Sequence, residues 1–180
     1  MRGAIRPSDF KLRFDVGKVR TFASRYDHPG ESELIVGPVK RARERGYLTH
    51  DEFLAIGRWK SERPRKRQAA NSPAFVEETT GLALATETSP KLAIEVLTLL
   101  DGVGWSTASV ILHLCHRQRY PILDFRALWS VGVEVRPQYT FECWSRYTEF
   151  TREVADRALV DMRTLDRALW KYSELYQRAA

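Results

Sequence analysis

The chain has 180 residues, 43% of them hydrophobic and 29% charged, with a net charge of +6. That length supports one domain or two small lobes, and the composition excludes a disordered or fibrous chain. The stretch MRGAIRPSDFKLRFD has charges every few residues, and the longest uncharged run, residues 102–112, contains glycine, Ser and Thr. Neither a secretory signal nor a membrane span is expected, and a cytoplasmic location follows by default.

In chain order, Val16, Val19, Phe22, Ala23 and Tyr26 recur at helical spacing and stop at the turn DHPG. ESELIVGPVKRARERG is a weaker helix, interrupted at Gly37-Pro38. In THDEFLAIGRWK, Thr49 followed by Glu52 is a capping box, with Phe53, Ile56 and Trp59 on one face. Residues 61–71 are basic, lack apolar periodicity and read as a linker or exposed loop.

Ser72-Pro73 and Ser89-Pro90 each place a cap before a first-turn proline. The second opens an amphipathic helix that runs through Leu92, Val96, Leu99 and Leu100 into the glycines. Past Gly102 and Gly104, Ala108, Ile111, Leu112 and Cys115 make an apolar face, and Ser109, His113, His116 and Tyr120 a polar one. DFRALWSVG is a short helix capped by Asp124 and followed by Gly132. Two amphipathic helices, Thr140 to Leu159 and Thr164 to about Gln177, close the chain. There is no convincing strand or internal repeat, so the class is all-α.

The positive charge is clustered in KRARER (40–45) and RWKSERPRKR (58–67), and the chain has five Trp and seven Tyr. Basic patches interleaved with aromatics suit a phosphate backbone and stacked bases. Cys115 and Cys143 supply neither a disulfide framework nor an iron–sulfur cluster. His113 and His116 have no further ligand at a matching spacing, so no metal site is expected.

Helix, Gly102-Val103-Gly104, helix is a helix-hairpin-helix pattern. The glycines permit unusual backbone angles and a close approach to a ligand. The second helix then begins with unpaired N–H groups and the positive end of its dipole. Such a turn binds phosphate without reading sequence.

LLDGVGWSTASVILHLCHRQRYPILDFRALWSVG resembles the helix-hairpin-helix DNA glycosylases, the superfamily that includes endonuclease III and the adenine-mismatch glycosylases. In that family an aspartate follows the hairpin's second helix at the end of an apolar stretch. Here it is Asp124, eighteen positions after Ser106. The resemblance implies a two-lobed all-α fold with a DNA-binding groove between the lobes. It also implies that Asp124 stabilises the sugar cation, or activates water, as the N-glycosidic bond of a flipped base breaks.

Family members that also nick the strand carry a Schiff-base lysine where this chain has Ser106, so a monofunctional glycosylase is implied. Residues 102–107, with Trp105, Ser106 and Thr107 at the helix start, and Arg126 beyond Asp124 are the expected DNA contacts. Arg58, Lys60, Arg65, Lys66 and Arg67 extend that positive field. No cofactor is implied, although a monovalent cation at the hairpin is compatible. The partner is double-stranded DNA, with no membrane involved, and the protein is expected to be a monomer.

Residues 1–70 form a basic helical region that carries no match to the family. Residues 71–180 form the matched region: hairpin 89–117, aspartate segment 118–132 and closing helices 140–178. Asp101 stands where the family commonly has proline, and Phe125 where a smaller residue is usual. Both keep open the alternative of a helix-hairpin-helix protein that grips DNA without chemistry.

Overall fold

The computed structural model describes residues 10–134 and 138–177. Residues 1–9 of the amino-terminal stretch, and position 178 of the expected 140–178 segment, lie outside them. Among the described residues every regular element is helical and none is a strand, so the fold is all-α. The described residues form two compact units, one from residues 28–120 and the other from those of the segments 1–27 and 121–180. The expected division at 70/71 falls inside the first.

In the 28–120 unit, α2 (Glu31–Leu34) runs through a π turn (Ile35–Val39) into α3 (Lys40–Arg45). The π turn accommodates Pro38, so the predicted interruption is a bulge rather than a break. Thr49 and Glu52 cap α4 (His50–Lys60) reciprocally, as the sequence predicts. The same Glu52 carboxylate takes Arg41 at 2.9 Å and also Arg45. Arg43 Nε donates to the Leu114 carbonyl at 2.6 Å. Three arginines of the first basic cluster are thus engaged in holding the fold.

The second basic cluster is not a linker. It contains α5 (Arg65–Ala69), whose Gln68 is 1% exposed. Helices α6 (Pro73–Leu84) and α7 (Pro90–Leu97) start at Ser72 and Ser89 with proline in the first turn, as expected. They pack with α3 and α4 around α8 (Trp105–Cys115).

Every residue of α8 from Ala108 to Cys115 is buried, which overturns the expected polar face. Several of the polar groups are paired locally instead. Ser109 Oγ donates to the Ser106 carbonyl at 2.9 Å, and His113 Nδ1 pairs with the Tyr120 carbonyl at 2.7 Å. His116 Nδ1 accepts the Gln118 N–H at 2.9 Å. Burial holds the His116 pKa below its usual value and pushes the Cys115 thiol up to about 12. Among the described residues no group of three His, Cys, Asp or Glu is placed to hold a metal ion.

The other unit joins the amino-terminal segment to the closing helices. Backbone N–H groups of Lys11 and Arg13 donate to the carbonyls of Val131 and Ser130 at 2.9 and 3.0 Å. A 3₁₀ turn (Val16–Lys18) leads into α1 (Val19–Ala23), which is shorter than predicted and packs on α11 (Met162–Tyr176). In chain order α9 (Phe125–Ser130) and α10 (Phe141–Ala158) come between these two. Ser130 Oγ donates to the Leu169 carbonyl at 2.6 Å and fastens α9 to α11. No helix of the described residues is long and apolar enough to cross a membrane.

Candidate functional site

The hairpin is anchored by Leu100 and Val103, 1% and 7% exposed, with Val103 N–H donating to the Leu100 carbonyl at 3.0 Å. Its glycines differ in kind. Gly102 has φ +76°, and a Cβ there would lie 2.9 Å from Gln68 Cγ and 3.1 Å from both Gln68 N and the Pro64 carbonyl oxygen. Both its conformation and its neighbours therefore require glycine.

Gly104 has φ −103° and ψ 179°, an extended conformation open to any residue, and a Cβ there meets nothing within 4 Å. Special backbone angles therefore account for the first glycine only. The second leaves open space in front of the helix.

That space faces the start of α8. The first hydrogen bond inside the helix runs from Ala108 N–H to the Gly104 carbonyl at 2.9 Å. The N–H groups of Trp105, Ser106 and Thr107 thus lack partners within the helix. No side chain caps this end, whereas Thr49, Ser72, Ser89, Asp124, Thr140 and Asp161 cap other helices. Trp105, Ser106 and Thr107 are themselves half-buried. A bare helix start behind a residue without a side chain is chemically suited to an anion.

Residues 64–71 support the turn from behind. Gln68 Nε2 donates to the Gly102 carbonyl at 3.2 Å. Asn71 Nδ2 donates to the Asp101 carbonyl at 3.0 Å while Asn71 Oδ1 accepts the Asp101 N–H at 2.8 Å. The structure therefore brings α5 to the hairpin, and Arg65, Lys66 and Arg67 are exposed on it. Arg58 and Lys60 lie on the last turn of α4, which packs on α5. Arg65 is 3.8 Å from Glu62, a solvent-exposed pair that leaves its charge available.

In the other unit, Asp124 caps α9. Its Oδ1 accepts the Arg126 N–H at 2.8 Å, and its carbonyl accepts the Leu128 N–H at 2.9 Å. It is 9% exposed. Burial, with the Asp166 and Asp124 carboxylates adding to it, pushes the Tyr147 phenol well above its usual range.

The Arg126 guanidinium lies 5.2 Å from the Trp170 ring and 5.4 Å from the Phe125 ring. Arg163, paired with Asp166, lies 5.2 Å from the Tyr26 ring, which meets Trp170 edge-on at 5.4 Å. Cations and aromatic rings drawn from residues 26, 125–126 and 163–170 therefore alternate beside the Asp124 cap.

No family model and no curated protein matches the chain. Among solved structures it is similar to an 8-oxoguanine glycosylase/lyase of Methanocaldococcus jannaschii, determined in complex with a 15mer DNA containing 8-oxoguanine. The similarity covers 97% of this chain and 90% of that one, with 15% identity and a TM-score of 0.48.

Sequence reasoning missed the residues that position the hairpin. Gln68 and Asn71 lie about thirty residues before the turn they hold, in a segment whose composition suggests a loop. The available signal was Gly57, a glycine in the interior of α4 with no evident local reason. The arginine–aromatic alternation was likewise invisible, because its members come from three separate parts of the chain.

Proposed function

We propose that the protein is a monofunctional DNA glycosylase acting on a flipped, damaged, mismatched or modified base in duplex DNA. The hairpin holds phosphates of the target strand through the α8 N–H groups, and Asp124 serves at the sugar of the extruded nucleotide. As the base leaves, positive charge develops on the sugar, and a desolvated carboxylate stabilises it or activates the attacking water. Ser106 lacks the amine that a Schiff base requires, and residues 98–116 contain no lysine. Water is therefore the nucleophile and an abasic site the product.

The observation that carries this reading is the uncapped start of α8 behind the open face of Gly104, combined in the same sequence motif with a nearly buried aspartate. Arg126 and the basic residues Arg58, Lys60, Arg65, Lys66 and Arg67 supply further phosphate contacts. A monovalent cation bound at the hairpin is compatible with the reading. The protein works as a cytoplasmic monomer.

The second reading, a DNA-binding module without chemistry, is favoured by one feature. Asp124 already has a structural task as the cap of α9. Substitution separates the two roles, because Asn caps a helix as well as Asp does but carries no charge.

Duplexes carrying a panel of altered bases are incubated with the protein and then treated with alkali. The expected result is cleavage of at least one substrate, reduced on the order of 100-fold or more in Asp124→Asn while DNA binding persists. Binding without cleavage of any substrate supports the second reading.

A further inference from the structure

We propose that Gln68 and Asn71 are positioning residues that lock the basic edge of α5 to the hairpin, so that both grip one duplex backbone. The inference rests on the DNA-binding reading and adds to it the residues that set its geometry.

Gln68 sits in a five-residue helix beside three exposed cations, yet it is buried. Its side chain threads between two glycines. A Cβ at Gly57 would overlap the carboxamide Oε1 and lie 2.9 Å from Cδ, and one at Gly102 would lie 2.9 Å from Cγ. Glycine is unfavourable in a helix interior, and this slot gives Gly57 a reason to be there. Asn71 adds a reciprocal pairing with the Asp101 peptide, and its Nδ2 also donates to the Gln68 carbonyl at 2.9 Å.

Buried polar groups that satisfy one another in this way specify a single arrangement. The end of α4, α5 and the turn consequently form one body within the 28–120 unit. Arg65, Lys66 and Arg67 project from the exposed side of α5, and the free N–H groups project from the start of α8. Neither Gln68 nor Asn71 is exposed enough to meet DNA. Their contribution is the alignment of two phosphate-binding elements.

The test is the salt dependence of binding to an unmodified duplex, measured by fluorescence anisotropy from about 50 to 200 mM KCl. Each phosphate contact contributes a slope of about −0.9 in log K against log salt. Replacing Arg65, Lys66 and Arg67 together by Ala, all at exposed positions, is expected to make the slope shallower by about 2 to 3. Gln68→Met preserves length but removes the amide. It is expected to weaken binding about tenfold and reduce the slope by about 1 or more, because α5 and the hairpin no longer align.

Gly57→Ala displaces the same carboxamide from its other side and serves as a second variant if Gln68→Met does not fold. A reduced slope with each folded variant supports the proposal. A triple variant with the wild-type slope overturns it, as does a folded positioning variant with wild-type slope and affinity. Wild-type protein that fails to bind the duplex at about 50 mM salt overturns the functional reading, and this inference with it.

Discussion

Gly102 and Gly104 are two residues apart and have opposite sensitivities. Gly102→Ala meets both a positive φ and backbone atoms at 3.1 Å, so it should lower unfolding stability by about 2–4 kcal/mol in a chemical denaturation series. Gly104→Ala should leave the unfolding free energy within about 0.5 kcal/mol of wild type. It should nevertheless weaken duplex binding, because the new methyl group stands in front of the α8 N–H groups. Equal loss of stability in both variants would contradict this division. The sequence made the turn legible because its Gly-x-Gly lies between apolar helices. It could not distinguish the glycine that the backbone requires from the one that leaves a face open, since that difference depends on Gln68 and Pro64.

At the scale of elements, local signals read well where they act locally. The capping box at Thr49, the Ser-Pro starts of α6 and α7 and the Asp124 cap all involve neighbours within three residues. The sequence of α8 alternates polar and apolar groups and suggests a polar face, whereas its neighbours enclose it from Ala108 to Cys115. Truncating its fully buried Ile111 to Ala should cost about 2–5 kcal/mol, measured by denaturant unfolding. A value near zero would place that side chain outside the core.

Glu52 joins α3 to α4 and makes stability depend on pH. Burial pushes its carboxyl up, but the Thr49 N–H and the Arg41 and Arg45 guanidiniums outweigh that effect and hold it below the usual 4.5. A carboxyl with a lower pKa folded than unfolded stabilises the fold above the ordinary glutamate range. That contribution is lost as pH falls through the folded value. The thermal midpoint should therefore drop between about pH 5 and pH 3, and Glu52→Gln should flatten this part of the profile. An unchanged acid profile in Glu52→Gln would count against the pairing.

For the whole molecule, the sequence showed the all-α class and the resemblance around the hairpin, but not how the chain divides. The amino-terminal segment joins the end of α9 through backbone bonds to residues about 120 positions away. Nothing local marks such a pairing. The same limit hid which basic cluster is available to a partner. Arg41, Arg43 and Arg45 are exposed but tied to the buried Glu52 and to the Leu114 carbonyl, whereas Arg65, Lys66 and Arg67 are exposed on the helix that backs the hairpin. Chain composition gives both clusters equal weight, and only tertiary pairing separates them.

The proposed reaction is base excision by water with no strand-nicking step. The most direct measurement takes one cleavable duplex, incubates it with the protein and divides the reaction. One half is treated with alkali, and the other is loaded directly on a denaturing gel after borohydride addition. Strand breaks in the alkali-treated half alone, without a borohydride-trapped protein–DNA adduct, are the predicted result. Breaks without alkali together with a trapped adduct would show an amine nucleophile at work and contradict the account.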